Sequence, residues 1–122
     1  MAVRVVSNRF GDVGREFHEK LRALTFVAAT NVAERAAASM EGKEAPSAPG
    51  TPPAIRTGIL HASLRVEQTG DLEHTVGTNV EYAPHLEFGT VRMAERPFLT
   101  PAMVDELPLF HEAVTRLGES IR

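Results

Sequence analysis

Cysteine is absent from the 122 residues, so no disulfide, thiolate nucleophile or cysteine-bound metal can exist. No run of roughly eighteen apolar residues occurs, the length that a membrane-spanning helix needs. The opening stretch, M-A-V-R-V-V-S-N-R-F-G, holds no apolar core of a secretory signal, and synthesis in the cytoplasm is the expectation. There is no internal repeat. An excess of positive charge is lacking too. The net charge is −3 with a pI near 5.9, which argues against a dedicated nucleic-acid binder while leaving room for a local basic patch.

Catalytic signatures are equally scarce. No G-x-S-x-G, Walker loop, G-x-G-x-x-G or H-E-x-x-H appears, and Ser7, Ser39, Ser47, Ser63 and Ser120 lack an activating context. His85 and Glu87 stand two apart, with His61, His74 and His111 elsewhere, but H-x-E alone does not specify a metal. Asp105 and Glu106 read as solvated helix acids. The expectation is therefore a protein without catalysis, cofactor or metal.

The chain has the length of a single domain, 1–122, that can bury roughly two thirds of its unfolded surface. Val3 to Asn8 is valine-rich and suits a short edge strand. Gly11 marks a turn and Asp12 a helix N-cap. Val13, Phe17, Leu21, Leu24, Ala28, Val32 and Ala36 then recur at threes and fours, one apolar stripe of a helix that runs to Met40 and ends at Gly42. Phe26 and Val27 lie off that stripe. They fit either a wide core face or a neighbouring subunit.

Glu41 to Ala54 holds four prolines and two glycines in fourteen positions, which excludes a helix or a central strand. It reads as a loop or extended arm, 41–54, whose order would come from a partner surface. Ile59 to Ser63 fits a helical turn. Alternation on both sides of Gly70-Asp71 predicts an antiparallel hairpin. Thr100 as N-cap and Pro101 behind it open a last helix, with Met103, Leu107, Phe110, Val114, Leu117 and Ile121 as its stripe and a kink at Pro108. The expected fold is α+β: a long N-terminal helix and a C-terminal helix packed on a small antiparallel β-sheet.

Val80 to Pro101 gathers Tyr82, Phe88 and Phe98 with Pro84, Pro97, Gly89, Arg92 and Arg96. Prolines prevent an uninterrupted helix, so an ordered, irregular connection that displays large side chains is expected. Aromatics and arginines dominate contact energies between proteins. Phe88 and Phe98 could instead fill the chain's own core.

The ordered series Thr57-Gly58-Ile59-Leu60, Ser63-Leu64, Gly77-Thr78, Tyr82-Ala83-Pro84, Leu86-Glu87-Phe88-Gly89-Thr90 and Arg96-Pro97-Phe98-Leu99 resembles the HK-type tail-component family. Its members are minor structural proteins of the neck or tail-completion region of long-tailed bacteriophages. The resemblance covers residues 57–102 in motif and the whole chain in layout. The family usually has a short connector where this chain has 41–54. The resemblance implies a virion protein of the head-to-tail junction, made in the host cytoplasm, that joins the capsid connector to the tail tube around the DNA channel. Implied partners are further copies in a ring (six favoured, twelve possible), a head-closure or connector protein, a tail terminator or tail tube protein, and DNA passing nearby without specific contact. Tyr82, Pro84, Leu86, Glu87, Phe88, Arg92, Arg96, Pro97, Phe98 and Leu99 form the expected subunit interface, with Arg92 and Arg96 paired to Glu87 or Glu95 of the next copy. A small non-viral α+β binding or regulatory domain without catalysis is the competing reading.

Overall fold

The computed structural model describes residues 2–6, 14–42, 45, 47–55 and 58–120. The expected cap at Asp12, the stripe members Val13 and Ile121, strand residues 7–8 and Thr57 lie outside them. Within them the chain is α+β, as expected. Strand β1 (Ala2–Val6) precedes helix α1 (Arg15–Met40), and a short α2 (Ile59–Ser63) leads into β2 (Arg65–Gly70) and β3 (Glu73–Gly77). A second short helix, α3 (Ala83–Phe88), comes before the terminal helix α4 (Leu99–Glu119). The three strands form one antiparallel sheet in the order β1-β3-β2, so β1 is an edge. Val76 of β3 lies opposite Val3 on one side and Val66 on the other.

The periodicity of α1 decides the core. Phe17, Leu21, Ala28, Val32 and Ala36 are buried, together with Thr25, Ala29 and Met40. The alanines allow close approach of α4, which packs along α1, while the sheet covers the other flank. Glu41 donates its backbone N–H to the Ala38 carbonyl, and Gly42 takes φ +72° immediately beyond, a glycine stop of the expected kind. Phe26 and Val27 remain exposed.

A polar seam ties α1 to the hairpin. The Asp71 carboxylate at the hairpin tip meets Arg22 Nη2 and His18 Nε2, each at 2.5 Å. The hydrogen bond from Arg22 holds the Asp71 carboxyl below its usual range. Deeper in, Thr25 gives its hydroxyl proton to the Arg22 carbonyl at 2.8 Å, so its oxygen must accept from His74 Nδ1, also at 2.8 Å. That fixes the neutral tautomer with hydrogen on Nδ1. Burial, aided by the Arg22 cation, pushes the His74 pKa below that of a free imidazole. Charging His74 favours the unfolded chain, so its contribution is complete above the ordinary pKa near 6.5 and is lost as pH falls through the depressed value. The urea midpoint should therefore drop between pH 7 and pH 5, and His74→Phe should flatten that part of the curve.

Helix α4 departs from expectation in two places. Its inward arc is Leu99, Ala102, Glu106 and Phe110, and Leu107 points to solvent. Glu106 is buried because α1 supplies matching donors: Asn31 Nδ2 at 2.9 Å and Arg35 Nε at 3.0 Å. A paired acid thus occupies a position that an apolar pattern assigns to its neighbour. The helix also starts one residue before Thr100, with Phe98 at its cap. It continues without a break through Pro108, which is exposed.

Candidate subunit interface

The segment expected to display side chains is a braced frame. Pro84 sits in the first turn of α3, where its missing N–H has no intrahelical partner to lose. Gly89 ends α3 with φ +75° and donates its N–H to the His85 carbonyl at 2.8 Å. A Cβ at Gly89 would lie 3.0 Å from both the Met93 carbonyl oxygen and the Glu95 nitrogen, so both φ and space demand glycine. The chain then doubles back. Thr90 donates to the Met93 carbonyl at 2.8 Å, and the Arg96 N–H to the Leu86 carbonyl at 2.6 Å.

This return brings residues 96–99 alongside α3, where Glu87 takes hold of them. One oxygen, Oε1, accepts the N–H groups of Phe98 at 3.2 Å and Leu99 at 2.8 Å, while Oε2 accepts that of Thr100 at 3.1 Å. These are the orphan donors of the first turn of α4, satisfied by a carboxylate from another element. Thr100 is therefore not the capping group. Glu87 performs that work from thirteen residues away.

The ten expected interface residues separate accordingly. Phe98 is 1% exposed and, with Leu99, belongs to the core. Glu87 is buried and its carboxylate is committed, so it cannot pair with an arginine of another copy. Pro84, Leu86 and Pro97 are half-buried. Arg96 turns its Nε to the Ser47 carbonyl at 3.0 Å and so binds the proline-rich segment of its own chain. Tyr82, Phe88 and Arg92 face outward, Phe88 with 69% of its surface exposed. Arg92 and Glu95 make no ion pair among the described residues.

Over 47–55 the proline-rich stretch lies against the Tyr82–Leu99 frame of its own chain. Gly50 donates to the Glu95 carbonyl at 2.8 Å, opposite the Arg96–Ser47 bond. Pro53 is buried. Between this segment, α2 and α3 lies a groove of about 800 Å³ with mostly apolar walls, including Ile55, Ile59, Leu60, Tyr82, Leu86 and Met93. The Ser47 hydroxyl, on the same wall, is buried without a hydrogen-bond partner among the described residues. The clustering of Tyr82 to Leu99 announced one wall of the groove. The wall built from Ile55 and α2 had no signal beyond apolar residues beside a proline run.

Among the described residues no three His, Asp or Glu side chains come together as a metal site. His85 is exposed whereas Glu87 is turned inward onto backbone donors, so the H-x-E pair does not converge. No helix among the described residues is long and apolar enough to cross a membrane.

One family model matches, described as "Bacteriophage HK97-gp10, putative tail-component", over residues 5–89. The match runs from β1 to the Gly89 turn and leaves 96–99 and α4 outside it. No match was found among curated proteins or among solved structures. With well over half its length matched, and with the expected layout of two long helices on a small sheet, the chain belongs to the HK97-gp10-like family and is a structural, tail-related phage protein.

Proposed function

We propose that this protein is a subunit of the head-to-tail junction, a neck or tail-completion ring that joins the capsid connector to the tail tube around the DNA channel. The carrying observation is the exposed side of the α3 frame. Phe88 stands 69% exposed on a helix whose other face is locked to α4 by Glu87. A large aromatic carried in solvent on a backbone braced by hydrogen bonds is suited to a neighbour's surface, because that backbone has little freedom left to lose on binding.

A closed ring needs head-to-tail contacts repeated around an axis. Six copies match tail symmetry and twelve match portal symmetry, and six is the favoured number. The mild net acidity suits a channel wall that lets DNA pass without gripping it. On this reading the protein is made in the host cytoplasm and resides in the virion between a connector protein and the tail.

The test is Phe88→Ala. Its far-ultraviolet circular dichroism and melting temperature should stay close to wild type, since the ring is not in the core. Particles carrying it should yield tail-less heads or free tails, with infectious titre reduced about a hundredfold, as for loss of a buried anchor worth about 3 kcal/mol. Wild-type titres would discard Phe88 as a contact.

A further inference from the structure

We infer that the groove between the proline-rich segment and α3 receives the outer ridge of α4 from the next copy of this chain. The inference rests on the ring reading and supplies its two mating surfaces. The ridge is Val104, Leu107 and Pro108, which share one face of α4 at i, i+3, i+4 spacing. Val104 is 61% exposed and Leu107 43%, although the same helix buries Phe110 and Leu99 on its other side. Neighbouring apolar side chains left exposed on one helix face are the kind of surface a partner covers.

Shape and charge both point to a second copy. The ridge is convex and helical, and the groove is concave and apolar, with Ile55, Leu60, Tyr82 and Met93 on its walls. An amphipathic helix laid in an apolar groove is a recurring mode of recognition. Arg92 lies in the turn between the groove-lining residues Thr90 and Met93, and Asp105 follows Val104 of the ridge. Both are exposed, and neither takes part in an ion pair among the described residues. Docking the ridge into the groove would offer each the partner it lacks. Because ridge and groove sit on different elements of one chain, the contact is heterologous and can repeat around an axis, as a ring requires.

A mixing experiment tests this. Ile55→Asp spoils the groove and leaves the ridge, and Leu107→Asp does the reverse. Both positions are solvent-facing, and circular dichroism verifies the fold. By light scattering coupled to size exclusion, wild type should form the ring and each variant should run as a monomer. An equimolar mixture should run as a one-to-one dimer, since one intact groove meets one intact ridge. Both variants still assembling, or a mixture that stays monomeric, would overturn the inference while leaving the ring intact. A wild type that stays monomeric at every concentration, alone and in the particle, would remove the ring reading and this one with it. Arg92→Asp and Asp105→Arg supply an independent arm should either apolar variant unfold. Each should raise the concentration needed for assembly by about tenfold, and the two combined in one chain should restore it. Failure of the double variant to recover would contradict the pairing.

Discussion

Phe98→Ala should destabilise the subunit by about 3–5 kcal/mol, the usual range for truncating a fully buried phenylalanine. The ring is 1% exposed and packs in the cluster that includes Val32, Met40, Leu60 and Ala102. Alanine would leave a cavity among residues from α1, α2 and α4, and the cost includes both the lost burial and the unfilled volume. Domains of this size have a total stability of roughly 5–15 kcal/mol, so a large fraction would be lost. Urea denaturation of the purified protein measures it, with the midpoint falling by one to several molar at a slope of about 1–3 kcal/mol per molar. The contrast with Phe88→Ala is diagnostic. Two phenylalanines ten positions apart in one motif should give opposite defects, one in folding and one in assembly. A stable Phe98→Ala subunit would show that the core has been misassigned.

Glu87→Ala is the second large effect, at about 3 kcal/mol or more. Three backbone donors at the start of α4 would lose their acceptor, and each buried donor left unpaired costs about 1–3 kcal/mol. Water will reach Thr100 and lessen its share, but Phe98 and Leu99 are enclosed. Glu87→Gln keeps an acceptor oxygen and loses the charge that favours a helix N-terminus, so it should recover part of the loss. Amide hydrogen exchange localises the effect. Protection should fall first in residues 98–103, before the rest of α4. Uniform loss along the whole chain would contradict a local capping role.

What could be read from the residues depended on whether a single element or a long-range partner decided the outcome. The long stripe of α1 and the alternation around Gly70-Asp71 are local signals, and both elements formed where expected. The α+β layout followed from them. Glu87 was different. As an acid between Leu86 and Phe88 it looked like an exposed charge available to a neighbour, and only the fold back through Gly89 sets it beneath the start of α4. Glu106 misled in the same manner, since its partners Asn31 and Arg35 are more than seventy positions away. Expecting it in solvent moved the apolar stripe onto Leu107. Buried carboxylates with distant donors are what periodicity cannot report.

The same contrast explains the motif itself. Its conspicuous residues serve mainly as internal framework. Gly58 takes φ +80° ahead of α2, Ser63 meets Thr78 at 2.6 Å, and Gly89 admits the returning backbone of 93–95. The outward side of the site is left to Tyr82, Phe88 and Arg92, with the groove beside them built partly from the proline-rich segment.

An image of the assembled virion at side-chain resolution tests the central claim most directly. The account predicts a closed ring of this chain at the head-to-tail boundary, with Phe88 covered and the groove of every copy filled by α4 of its neighbour. Copies found singly, away from that boundary, or arranged with Phe88 and the groove open to solvent all around the ring, would contradict it.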